Sequence, residues 1–147
     1  MQTLAQNPSF VAVTPWTVPA KKAVWIGRVL SGVISALLAA DAIFKLLEVP
    51  QVIEGSANLG YPPGTIFPMG VILLVSVLVY VVPRTSAFGA LLLTGYLGGA
   101  IATHFRVGDP LFTHTLFPIY VAIVVWAGLV LRDERLRAVF FRPQNAP

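Results

Sequence analysis

Apolar residues in this 147-residue chain gather in four long blocks rather than at amphipathic spacing. Ile66 to Val82, Ser86 to Thr103 and Thr115 to Leu131 contain no Asp, Glu, Lys or Arg, and Val24 to Val49 is broken only by Arg28, Asp41, Lys45 and Glu48. About 20 helical residues cross the roughly 30 Å of hydrocarbon in a bilayer. Each block therefore predicts one membrane span, at about 22–49, 66–82, 86–105 and 115–131. The connections are short: Pro83-Arg84 and Gly108-Asp109-Pro110 read as turns. In Gln51 to Gly64 the helical spacing of Val52, Ile53, Ala57 and Leu59 predicts a short interfacial helix, capped by Gly60 and followed by a Tyr61-Pro62-Pro63-Gly64 turn. The expected fold is all-α, an integral membrane four-helix bundle occupying 22–138. A flexible tail is expected over 1–21, which Pro8, Pro15 and Pro19 punctuate, and a second tail over 139–147.

Small residues mark where such helices can approach closely. Gly27, Ser31, Ser35 and Ala39 recur every four residues, as do Gly32, Ala36 and Ala40, and Gly95 with Gly99 forms a GxxxG pair. Gly27, Ser31, Ser35, Gly95 and Gly99 are accordingly expected at helix contacts, inside the bundle or between protomers.

Composition agrees with a membrane environment: 56% of residues are hydrophobic, 11% are charged, and mean hydropathy is +0.80. A soluble domain carries about 25% charged residues. The net charge of +4 does not point to nucleic acid, because the basic residues sit at the ends of the apolar blocks. Lys21, Lys22, Arg28, Arg84, Arg132, Arg135, Arg137 and Arg142 fall on the side that holds both termini, and only Lys45 and Arg106 on the other. The positive-inside rule then places both termini in the cytoplasm. Trp16 and Trp25 bracket Lys21 and Lys22, a pattern that anchors at the headgroup level. Cysteine is absent, which excludes thiol–disulfide relays, thiolate metal sites and iron–sulfur clusters built from this chain alone.

Asp41, Lys45 and Glu48 lie at i, i+4 and i+7 on one helical face within a span. An ionisable group at membrane depth costs about 2.5–3.5 kcal/mol on insertion scales, so it marks a site by default. Counting about 1.5 Å per residue from the span ends sets Asp41 level with Tyr96, and Glu48 level with His104. Arg106 and Tyr120 fall in the same outer half. A ligand- or proton-handling pocket is therefore expected from Asp41, Lys45, Glu48, Tyr96, His104, Arg106 and Tyr120. The competing reading is structural: the acid-before-base order lets Asp41 and Lys45 neutralise each other and fix helix packing. His104 and His114, with Glu48 or Asp109, invite a metal, but no ligand motif is present and none is assigned.

The stretch Gly95-Tyr96-Leu97-Gly98-Gly99-Ala100-Ile101-Ala102-Thr103-His104-Phe105-Arg106 resembles the third-helix signature of the DoxX-like family. The resemblance extends to Pro83-Arg84, Leu131-Arg132-Asp133, Asp41 with Lys45, and Gly60-Tyr61-Pro62, covering about 24–138. It implies a small four-helix protein of the bacterial inner membrane. Namesake relatives are subunits associated with thiosulfate:quinone oxidoreduction, others are tied to oxidative-stress defence, and distant eukaryotic relatives include a chaperone for ligand-gated channels. The resemblance brings no catalytic residue set with it.

Three function classes follow. The first is an accessory subunit of a redox or quinone-linked membrane process, without catalytic activity of its own. In it His104, Tyr96 and Lys45 would donate to a quinone headgroup and Asp41 would relay protons. The second is an assembly factor, chaperone or scaffold that binds a membrane-protein partner or a second copy through the small-residue ridges. The third is a small-molecule or proton-coupled carrier acting as an oligomer, although no inverted repeat is visible. The lipid bilayer is the common partner of all three.

Overall fold

The computed structural model describes residues 20–141. Trp16 and the rest of the 1–19 tail, and the tail from Arg142 to Pro147, lie outside the described residues. Among the described residues six α-helices follow one another: α1 (Ala20–Leu46), α2 (Pro50–Asn58), α3 (Ile66–Val81), α4 (Ser86–Val107), α5 (Phe117–Arg132) and α6 (Glu134–Phe141), with a π-helical turn at Leu111–Thr115 before α5. No strand occurs among the described residues. Pro50 opens α2 in its first turn, and Pro68 falls in the first turn of α3, positions where a missing N–H costs no helical hydrogen bond.

Three segments are long and apolar enough to cross a membrane: Lys21–Leu46, Ser86–Val107 and Leu111–Arg132. α3 is as apolar but shorter, at 16 residues. Large apolar side chains cover the outside of these helices, among them Leu37, Phe44, Ile72, Leu78, Leu91 and Ile123. So continuous an exposed apolar surface fits contact with lipid and is foreign to a soluble monomer. The chain is a multi-pass membrane protein.

α1, α3, α4 and α5 pack in a ring: α1 touches α3 and α5, and α4 touches α3 and α5. α1 and α4 thus face each other across the diagonal. At the end where α1 begins and α5 finishes that diagonal is filled. A side chain at Gly27 would meet the Arg132 amide nitrogen at 2.6 Å, and one at Gly128 would meet Ser31 Oγ at 2.7 Å, so α1 and α5 are in backbone contact. Fully buried Tyr80 crosses the centre. Its hydroxyl lies 3.0 Å from Ser31 Oγ and donates to the Val125 carbonyl at 2.8 Å. Arg132 donates to the Tyr80 carbonyl at 2.9 Å, and its guanidinium stacks over the Tyr80 ring. Every polar atom of Tyr80 is thereby satisfied in a dry core.

Candidate functional site

The opposite end of the ring is open along the same diagonal. α3 stays packed to its first residue, with Ile66 buried and Gly70 tight against Ala42 of α1. The buried residues of α4 stop at Leu97; beyond it α4 is partly exposed, contacts the Leu111–Thr115 turn and is tied to Leu59 through Arg106. A cavity of about 760 Å³ fills the space, within the range of a small-molecule site. Leu38, Met69, Leu97 and Val121 form its apolar floor and walls, and α2 with Tyr61 lies across its top.

Asp41 and Lys45 are one turn apart on the cavity side of α1, where the Lys45 ammonium is hydrogen-bonded to the Asp41 carboxylate. The Lys45 side chain is 15% exposed and that of Asp41 46%, so the pair presents its carboxylate to the opening. Glu48 does not continue this face. α1 ends at Leu46, and Glu48 turns back in the left-handed region at φ 48°. There Glu48 N–H donates to the Lys45 carbonyl and Val49 N–H to that of Phe44, closing the helix in the position glycine usually takes. The i+7 relation expected of Glu48 is lost, and its side chain is exposed, away from the cavity.

The same closing motif builds the second polar cluster. At the end of α4, Gly108 adopts φ 75°, its N–H donates to the Phe105 carbonyl, and the Asp109 N–H donates to that of His104. This reversal folds Asp109 back over the last turn of α4, and its carboxylate lies 2.6 Å from His104 Nδ1. With Nδ1 engaged, Nε2 is the ring nitrogen left for a ligand. His114, on the π-helical turn, places its ring 6.2 Å from that of His104 and its Nδ1 2.8 Å from Thr113 Oγ1. Both histidines, Asp109 and half-buried Tyr96 line the cavity.

Of the seven residues expected to form one pocket, Asp41, Lys45, Tyr96 and His104 share it. Glu48, Arg106 and Tyr120 do not. Tyr120 is 47% exposed on the outside of α5. Arg106 instead donates to the Leu59 carbonyl at 2.7 Å, satisfying an acceptor that the end of α2 leaves free. Tyr61 OH and Thr103 Oγ1, 2.6 Å apart, make a second tie between α4 and the loop after α2. Gly27 and Ser31 stand at the α1–α5 contact and Ser35 is half-buried. Among the described residues, no neighbouring helix lies against the side-chain position of Gly95 or Gly99. A Cβ at either would meet nothing within 4 Å, and both form part of the cavity wall.

Asp109, His114, Tyr61 and Thr103 were not among the residues expected in the pocket. For Asp109 a signal existed, because a glycine four residues after His104 forecasts a reversal that carries the next residue back. Chemically the cavity offers a cation at Lys45, donors at Tyr96 and His104, and two carboxylates paired with bases. That set suits a compact molecule with acceptor oxygens. Among the described residues no group of three or more His, Asp or Glu is disposed to hold a metal ion.

The DoxX-like family model matches residues 29–128, which include α3, α4 and most of α1 and α5. The chain belongs to the DoxX-like family. No curated protein and no solved structure matches it.

Proposed function

We propose that this member of the DoxX-like family is an accessory subunit of a redox or quinone-linked process in the inner membrane, without catalysis of its own, and that its cavity receives a quinone-type headgroup. The observation that carries the reading is the cavity between α1 and α4, apolar over most of its wall, with Lys45–Asp41 on one side and Tyr96 and His104–Asp109 on the other. A quinone needs donors for two carbonyl oxygens and a proton route. Lys45 and Tyr96 or His104 supply the donors, and each base is backed by a carboxylate that can take up or return a proton.

In this reading α3 is the fourth span. It runs alongside α1 from the cavity end to the Tyr80 end and exposes Phe67, Ile72, Val75 and Leu78 on its outer face. Both termini then share one side, and the excess of Lys and Arg there makes that side cytoplasmic. The cavity opens toward the other side. A reporter fused after Pro147 should be active only in its cytoplasmic form; periplasmic activity would overturn the orientation. Asp41→Asn and His104→Ala should each lower quinone-dependent reduction in membranes about ten-fold or more, the loss expected of a removed charged hydrogen-bond partner. Unchanged reduction would sink the quinone reading.

A scaffold role has support of its own in Gly32, Ala36 and Ala40, which are exposed along the outer face of α1, with open space at Gly32. Gly32→Leu should then release a membrane-protein partner or dissociate an oligomer on cross-linking, while quinone binding persists.

A further inference from the structure

The cavity has an opening that its polar groups do not explain. Ile72 on α3 and Gly95 and Gly99 on α4 line it, yet all three are exposed. At about 1.5 Å per residue, Ile72 lies about 9 Å inside the start of α3, and Gly99 and Gly95 about 12 and 18 Å inside the end of α4. Those depths fall within the hydrocarbon layer, so this exposure is to lipid tails. The gap between the helices follows from the same features that make the cavity. α3 and α4 are held together at the Pro83 turn, where Gly89 packs against the Tyr80 backbone, while α4 beyond Leu97 has no buried residue. The two glycines contribute no side chain to close the space.

We propose that the cavity is entered sideways from the bilayer through this window between α3 and α4, and that its ligand is a tailed, lipid-soluble molecule. The compact, oxygen-bearing head lies at Lys45, Tyr96 and His104, and an apolar chain leaves past Gly95, Gly99 and Ile72. The inference rests on the reading of the cavity as a quinone-type site and adds the tail and the route. The cavity's other exposed side lies under α2, which Arg106–Leu59 and Tyr61–Thr103 tie down to α4.

The test uses the full chain in lipid nanodiscs, with a decyl-tailed benzoquinone and its tail-less counterpart as probes. Saturable quenching of tryptophan fluorescence reports binding, expressed against the free aqueous concentration of each probe, so that a tail that leaves water on binding counts toward the affinity. Trp126 is the reporter, since its indole Nε1 donates at 2.9 Å to Thr94, the residue before Gly95 on α4. The tailed probe should bind about ten-fold tighter or more, the gain from burying a few methylenes. Gly95→Leu/Gly99→Leu should bring it down to the level of the tail-less probe. Ile72→Phe, which narrows the window from α3 without adding a tryptophan, should do the same and guards against a folding defect in the first variant. Equal affinity for the two probes in the wild type, or a tail preference that survives both variants, overturns the inference while leaving the headgroup reading intact. Binding of neither probe removes the headgroup reading and this inference with it. If the leucine variant instead turns a dimer into a monomer by light scattering, the glycines are a protomer contact and the window is refuted.

Discussion

Glycine does opposite things at the two ends of this bundle. At the end where α1 begins and α5 finishes, Gly27 and Gly128 let α1 and α5 meet backbone to backbone, and Tyr80 fills what space remains. At the other end, a side chain at Gly95 or Gly99 would meet no neighbour, and a cavity of about 760 Å³ separates α1 from α4 along the diagonal. The residue type is the same; what differs is whether another helix lies within reach. Polar groups divide in the same way. Tyr80 spends both its hydroxyl contacts on Ser31 and Val125 within the core, whereas Tyr96, Lys45 and His104 turn theirs toward a cavity. One end holds the helices together and the other leaves room for a ligand.

Substitutions should separate the two ends sharply. Gly27→Leu should have the largest effect, about 3 kcal/mol or more of destabilisation or loss of the folded protein, because its side chain collides with the α5 backbone. Thermal unfolding in detergent would show it, and a wild-type transition would mean that α1 and α5 are not in close contact. Asp41→Asn, at the cavity end, should cost about 2 kcal/mol, since it leaves the Lys45 cation unpaired at membrane depth. That is below the 3–5 kcal/mol of a fully buried pair because Asp41 is 46% exposed. The double variant Asp41→Asn/Lys45→Met should recover most of that stability yet still lose quinone binding. Recovery of binding as well would reduce the pair to a packing device.

Smaller effects sharpen the contrast. Tyr80→Phe should cost about 1 kcal/mol by removing two buried hydrogen bonds and leaving Ser31 Oγ without its Tyr80 partner. Glu48→Gly should stabilise by about 1 kcal/mol, because Glu48 holds a left-handed conformation that an L side chain resists. Its quinone affinity should match the wild type, and a marked loss would return Glu48 to the pocket.

The helices were legible because each apolar block is a run of helical length, three of them in helices long enough to span hydrocarbon, and Gly60 and the prolines marked the short α2. Depth was legible in part, since a constant rise per residue sets Asp41 level with Tyr96 and puts His104 in the same half of the bundle. Facing was not. Tyr120 lies near the right depth but points outward from α5, and Arg106 reaches the end of α2 instead of the cavity. Glu48 left its expected face because α1 closed three residues before Val49, where local hydrogen bonding overrode the periodic pattern. Asp109 reached His104 only through the reversal at Gly108.

From its own order of residues the chain determined a multi-pass helical protein, with charges at one depth of α1 and small residues along its ridges. Those properties depend on one helix at a time, on its length, hydropathy and rise per residue. Only the tertiary structure decided which glycines touch a helix and which border a cavity, and which polar groups face one another. Those outcomes depend on the rotation and tilt of one helix against the next, and they arise from packing between segments far apart in the chain.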